Sequence, residues 1–437
     1  MRIDLKKHWP ILLFILFLGL LYTNGFSRTG QSSDFSDYYE ASRNFRIQKD
    51  LYSLDVLSEV VQDFESGKFK MEQIFEPSVF LSLKARIENV GSYIYPPTFA
   101  FLLIPFSYLE FETASAIFFT LNFISLVGSL FLIGRLLGKQ RSFLFLSATL
   151  LLSLRFVENH QNNNQVGFLL LFLILLSVSS KRDWLSGLLL SLAIIIKITP
   201  AAFLFYFLYK RRYAVIAYTL VFAMVWLALP ALLFPEFTWK MNQTWYNLVL
   251  EKYMKSPALR AWKNNQSLSS TLSKYFLSYS DLLNQGRFGM PFVNLTVAQV
   301  KAMALVLTLG ISGPFLYRVY KGASEGFVLS GLFFFSVIFS GISWIHAFVF
   351  LLFPIGYALS QLWMDEQEDG FVWEKWKNRI LSFKAASLFT LIAIFVLLMN
   401  RGTIGNTAEE ALLMFSFLLY TSLIQYACTF YIDRARS

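Results

Sequence analysis

The amino-acid sequence predicts an all-α polytopic membrane protein, a bundle of about twelve transmembrane helices, and three observations predict it. Hydrophobic residues make up 56% of the 437-residue chain and charged residues only 15%, with a mean hydropathy of +0.51. Soluble domains carry roughly 25% charged residues, so a water-soluble globule is excluded. Runs such as Ile11–Leu21 and Phe168–Leu176 are apolar on every side, whereas the strands of a membrane β-barrel alternate apolar and polar positions. Finally, Lys and Arg are distributed asymmetrically about the apolar runs.

A spanning helix needs roughly 20 apolar residues, fewer where it is packed inside a bundle. Spans are expected near 10–26, 113–134, 142–156, 166–180, 184–196, 199–209, 213–234, 299–317, 325–341, 345–361, 385–400 and 409–431. Lys6 and Lys7 before the first run would suit a signal peptide, but no small-x-small cleavage pattern follows and the run reads as a span. With the N-terminus inside, the inner loops and tails carry nineteen of the 38 Lys and Arg, among them Arg135, Lys139, Lys181, Arg182, Lys210, Arg211, Arg212 and Arg318. The short outer turns hold three, Arg155, Lys197 and Arg401. The positive-inside rule supports this orientation. It also accounts for the net charge of +10 without a nucleic-acid partner.

Two outer loops are long, about 27–112 and 235–298. In the first, Val56–Phe64 reads as amphipathic, and Pro97 to Leu109 reads as a re-entrant or interfacial helix. A thirteenth crossing there would place Lys210-Arg211-Arg212 outside. Pro97 suits the first turn of that helix, where its missing N–H costs nothing. Long loops in a compact membrane protein are usually functional. The chain thus divides into a membrane module over 1–361 with both outer loops, and a segment 362–437 with an inner loop and two final spans.

The unusual polar residues fall on the outer face: Asp34 and Asp37, the run Asn162-Asn163-Asn164-Gln165, Lys197, Asn265-Gln266, and Trp344 with His346. Most have an ordinary reading. The aspartates suit a helix N-cap, the Asn run suits a turn, and His346 suits an interfacial histidine. Lys197 is different. The arms on either side of it, 184–196 and 199–209, are too short to reach both surfaces, and Pro200 prevents one continuous helix, so its ammonium lies below the outer surface and needs an anion. Asn164, Gln165, Arg260 and Lys263 are further candidates for holding that anion. Cys428 is the lone cysteine, and three histidines are too few for a metal cluster of the usual kind.

Four signatures carry a family resemblance: Asp34-Phe35-x-x-Tyr38-Tyr39-x-Ala41; Tyr95-Pro96-Pro97-x-Phe99-Ala100 with Pro105-Phe106; Asn164-Gln165, then Gly187 and Lys197-x-Thr199-Pro200; and Asn265-Gln266-Ser267 with Ser343-Trp344-x-His346. Over about 30–355 the chain resembles the GT-C membrane glycosyltransferases, most closely glycosyltransferase family 87, the polyprenyl-phosphate-mannose-dependent mannosyltransferases. It departs from the pattern at Asn164, where glycine is usual, at Gly341, where proline is usual, and at Ala347, often a second histidine.

The resemblance implies transfer of a hexose, most readily mannose, from a polyprenyl-phosphate donor to a glycolipid or glycan acceptor on the non-cytoplasmic face of a bacterial plasma membrane. Asp34 would be the base of an inverting displacement, with Asp37 second and His346 beside them. Tyr38, Tyr95, Asn265, Gln266 and Trp344 would contact substrate. The phosphate leaves as an anion, so lysine or arginine can stabilise it without a metal or cofactor. No Gly-rich phosphate loop or Rossmann-like domain suggests a nucleotide sugar. A transporter or flippase of a lipid-linked saccharide is the rival reading; two long loops on one face and polar clusters at one end rather than the midplane disfavour it.

Overall fold

The computed structural model describes residues 5–52, 93–251, 255, 260–277, 289–363 and 373–434. Val56–Phe64 lies outside them. Every described element is helical. Among the described residues six helices are long and apolar enough to cross a membrane, a pair bent by 62° counts as a seventh only if its two halves form one span, and five further apolar helices have 10–17 residues. These match the twelve expected runs one for one.

Helix α1 (Leu5–Phe26) leads through a short turn to α2 (Asp34–Arg46), which buries Phe35, Tyr38, Ala41 and Phe45. Ser33 is the N-cap of α2, and Asp34 and Asp37 lie within its first turn rather than at the cap. The Pro-Pro element forms α3 (Pro97–Leu102), with Pro at its first turn, and a 3-10 helix over Ile104–Tyr108. Neither piece is long enough to cross. Both pack under α2, and Phe35 stacks among Phe106, Phe111 and Phe118.

The interior is built by α4 (Phe111–Leu136), α5 (Phe143–Leu152), α6 (Leu154–Asn162), α7 (Gly167–Ser179) and α8 (Asp183–Ile196), followed by a 3-10 turn and α9 (Leu204–Tyr209). α7 has 13 residues and α8 has 14. At 1.5 Å per residue each reaches about 20 Å, well short of a hydrocarbon core of about 30 Å. α7 packs against α4 and α8, and α8 against α10 (Tyr213–Ala228). The second long loop carries α11 (Pro235–Trp245) and α12 (Leu268–Phe276), and beyond it α14 (Glu325–Ile338) and α15 (Leu352–Leu362) pack on each other. The outermost helices are α1, α10 and α13 (Val297–Tyr320), whose apolar side chains, Leu16, Met224 and Val306 among them, are exposed. In a bilayer these are lipid-facing.

Beyond α15, α16 (Trp373–Leu398) packs on α15 and on α19 (Phe417–Arg434), which follows α17 (Arg401–Ile404) and α18 (Asn406–Met414). α18 and α19 meet at a 62° bend, where Ser416 has a φ of 56°. Arg155 at the start of α6 ties this segment to the bundle. Its guanidinium pairs with Glu409 at 2.8 Å and donates to the carbonyls of Val396 and Met399 at the end of α16, the end where a helix dipole favours a cation.

The bundle separates its charges. At the end where α8 begins and α9 finishes, Arg212 pairs with Asp183 at 2.5 Å, Lys210 with Glu325 at 3.1 Å and Arg318 with Asp433 at 2.8 Å. The other end, where α8 finishes at Lys197, gathers the polar clusters.

Gly187 sets the spacing between α8 and α10. A Cβ there would come within 2.5 Å of the Tyr218 side chain and 2.9 Å of the Thr219 backbone nitrogen, and backbone cannot yield as a flexible side chain can. Gly187→Leu should therefore destabilise the protein by about 1–3 kcal/mol, seen as a lower thermal midpoint in detergent. An unchanged midpoint would mean that the two helices part without cost.

Candidate active site

Asp34 opens α2 with its carboxylate turned toward the bundle. The Gln165 amide nitrogen donates to Asp34 Oδ2. The orientation of that amide is set from its other end, where Gln165 Oε1 accepts from the hydroxyls of Tyr38 at 2.6 Å and Tyr95 at 3.1 Å. The two hydroxyls lie 3.0 Å apart, and the rings meet edge to face with centroids 5.0 Å apart. Phe99 closes on both rings. Tyr95 is itself held through its carbonyl, which accepts from the Tyr52 hydroxyl at 2.8 Å. Four polar groups from three segments thus satisfy one another inside an aromatic box, as buried polar groups must.

Burial raises the Asp34 carboxyl to about 7; the neighbouring Asp37 charge pushes in the same direction, and the Lys197 cation opposes both. A carboxylate so placed can take a proton near neutral pH.

Beside this box is a cleft lined by Tyr95, Gln165, Lys197, Thr199, Ser340 and His346. Lys197 terminates α8 in extended conformation, with its ammonium 6.0 Å from the centroid of the Tyr95 ring. Two further polar atoms here, Thr199 Oγ1 and His346 Nδ1, are buried without a hydrogen-bond partner among the described residues. His346 lies in the 3-10 helix Ile345–Leu351 that leads into α15, and the Trp344 ring stands 6.0 Å from it. Asp34 does not line this cleft itself; Gln165, which does, joins the carboxylate to it. A cation and unpartnered polar groups in the cleft can hold an anion, and the carboxylate beside them can take a proton. Among the described residues no group of three His, Cys, Asp or Glu side chains could hold a metal ion.

The other predicted residues are placed differently. Asn164 has a left-handed φ of 43°, which explains why glycine suits that position. Its amide nitrogen donates to Ser115 Oγ at 3.0 Å and to the Ser115 carbonyl at 3.1 Å, and Ser115 Oγ donates to the Thr29 carbonyl. Asn164 thereby ties the start of α7 to α4 and to the link between α1 and α2, with its amide nitrogen directed away from the cleft. Lys263 pairs with Glu410 at 2.8 Å. The Arg260 guanidinium lies over Gly341, its Cζ 3.7 Å from where a Cβ would sit.

Asn265 and Gln266 form a latch. Asn265 Oδ1 accepts from the Ser343 N–H at 2.9 Å, its Nδ2 donates to the carbonyls of Gly341 and Arg260, and the Gln266 N–H donates to the Ser343 carbonyl at 2.8 Å. Asp37 stays in the first turn of α2, near Asp34.

Sequence reasoning passed over two residues. Thr199 sits inside the Lys-x-Thr-Pro signature, and nothing in that pattern marks its hydroxyl as a cleft group. His160, stacked on Phe168 at 3.7 Å, accepts the Phe168 N–H at its Nε2 and caps the start of α7; a lone histidine among asparagines gives no sign of that.

The fold defines a multi-pass membrane protein with a polar cleft, lined by Lys197, Thr199 and His346, at one end of the bundle. The sequence pattern of Glycosyltransferase family 87 matches residues 93–341, more than half of the chain. The chain belongs to that family. It is 35% identical over 127 residues to a polyprenol-phosphate-mannose-dependent alpha-(1-2)-phosphatidylinositol pentamannoside mannosyltransferase of Mycolicibacterium smegmatis, an alignment covering 29% of this chain and 31% of that protein. No solved structure matches the chain.

Proposed function

We propose that the protein transfers a hexose, most readily mannose, from a polyprenyl-phosphate donor to a glycolipid or glycan acceptor, with inversion, on the non-cytoplasmic face of a bacterial plasma membrane. The observation that carries this reading is the Asp34 carboxylate, held by Gln165 beside a cleft that also presents Lys197, Thr199 and His346, in a chain of this family. The named donor of the Mycolicibacterium relative supports the choice of sugar carrier.

In this mechanism the acceptor hydroxyl gives its proton to Asp34 as its oxygen attacks the anomeric carbon from the face opposite the phosphate. The bond from that carbon to the phosphate oxygen breaks, and its electron pair leaves on the phosphate. Lys197 meets the growing negative charge, where a cation in a dry site acts strongly. Thr199 and His346 can donate hydrogen bonds to the same group. The donor's tail stays in the bilayer, consistent with a cleft sunk between helices too short to span it. Protein cations suffice for this chemistry, so no cofactor is part of the proposal.

Asp34→Asn keeps the shape but cannot take a proton, and should lower turnover by about 10² to 10⁴ while the purified protein stays monodisperse. In the unaltered protein only the ionised carboxylate is active, so kcat/KM should rise with pH and level off above about 7. Two units below that midpoint, about 1% of the base remains ionised and the rate falls about a hundredfold. Near-normal turnover of Asp34→Asn, or a rate that is flat from pH 5 to 8, would remove Asp34 from the mechanism.

Lys197→Met should weaken the donor contact by about 1.5–3 kcal/mol, read as a donor KM raised ten- to a hundredfold or as a matching loss of kcat, with acceptor KM unchanged. Unchanged donor kinetics would return Lys197 to a role in packing against Tyr95.

The proposed face is tested separately. In a Cys428→Ser background, a membrane-impermeant maleimide added to intact cells should modify a cysteine placed at Ser32, between α1 and α2, and not one placed at Gln140, between α4 and α5. The reverse pattern would move the site to the cytoplasmic face.

A further inference from the structure

Lys274, in α12 (Leu268–Phe276) of the second long loop, is completely buried. No salt bridge to it forms among the described residues. Its ammonium donates instead to two backbone carbonyls, of Asn265 at 3.0 Å and of Leu413 at 3.1 Å. Leu413 lies in the last turn of α18, and its carbonyl also accepts the Gln266 side-chain amide at 2.7 Å. The negative end of a helix is a favourable place for a cation. Burial nevertheless pushes the lysine down to about 7. An apolar side chain of the same length would avoid that cost, so the donors themselves must matter.

Their effect runs through Asn265. The ammonium holds its carbonyl, Asn265 Oδ1 holds the Ser343 N–H, and the Gln266 N–H holds the Ser343 carbonyl. Ser343 immediately precedes Trp344 and the 3-10 helix that puts His346 into the cleft. A continuous chain of hydrogen bonds thus leads from the C-terminal end of α18, outside the family-matched region, to the wall of the candidate active site.

We propose that Lys274 is a positioning residue: it fastens the second long loop to the end of α18 and, through Asn265 and Ser343, fixes the place of His346 in the cleft. For catalysis this rests on the reading of the cleft as the transferase site; the geometric part does not. The segment 362–437 then braces the module 1–361 at its active end.

The experiment compares the full-length protein with Lys274→Met by hydrogen exchange and by donor kinetics. If the chain of bonds runs as described, backbone amides over 340–348 should exchange about tenfold faster in the variant, while those of α7 stay unchanged. Donor kcat/KM should fall about tenfold through a raised donor KM, with acceptor KM within twofold. A merely structural role would lower the amount of active enzyme and leave both KM values alone.

Unchanged exchange over 340–348 overturns the proposal, whatever the activity. An inactive unaltered protein would refute the transferase reading and leave the exchange result to decide the positioning role. Should Lys274→Met fail to fold, Lys274→Gln, which keeps N–H donors without the charge, carries the same measurements, with a smaller acceleration expected and no acceleration overturning the proposal.

Discussion

Much of this structure depends on one constraint: an amide at the start of α7 must satisfy a carboxylate and two phenols at once. Gln165 does so only if the chain turns sharply just before it, and Asn164 provides the turn with its left-handed φ of 43°. The side chain of Asn164 then anchors that turn to Ser115 of α4. From this point the placement of α2, the Tyr-Pro-Pro segment and α7 follows, since each delivers one partner of the Gln165 amide. Removing Gln165 would take from the carboxylate and both phenols the partner they share, and leaving buried polar groups unsatisfied costs more than the bonds themselves are worth.

The second organising feature is the use of charge at the two ends of the bundle. One end pairs Arg212 with Asp183, Lys210 with Glu325 and Arg318 with Asp433. The other end also pairs cations, Arg155 with Glu409 and Lys263 with Glu410, but it leaves Lys197 in a cleft beside a carboxylate whose proton affinity has been raised. Pairing of the first kind fixes helix ends in place. The second arrangement is the one the proposed transfer requires, and the short α7 and α8 let a polar turn end inside the bundle with its backbone covered by neighbouring helices.

The spans were legible because apolar runs without a polar stripe have few alternatives, and the breaks at Pro97 and Pro200 fell where proline requires them. Asp34, Gln165, Lys197 and His346 were legible as outer polar clusters and Tyr38 and Tyr95 only through the family signatures, and no local pattern reveals that one glutamine joins Asp34 to both tyrosines. The roles of Asn265, Gln266 and Lys263 were not legible. Their partners stand far off in sequence, Ser343 at 78 residues from Asn265, and Leu413 and Glu410 each at 147 from Gln266 and Lys263. A signature shows that a residue type is required at a position; it does not say whether a substrate or a distant backbone carbonyl requires it.

The same distinction bears on the two residues at the edges of the site. Asp34 precedes the family-matched region 93–341 and His346 follows it, so neither gains its standing from that match. Geometry ties them to it. Asp34 accepts from Gln165, and His346 lines a cleft with Lys197 and Gln165, all inside the matched region or one helical turn beyond it. A carboxylate beside the cleft and an imidazole within it are therefore both tied to residues inside the matched region, and the elements that carry them, α2 and the 3-10 turn before α15, are fastened in the same way, α2 by the aromatic box through Tyr95 and Phe99 and the 3-10 turn by the Asn265 latch.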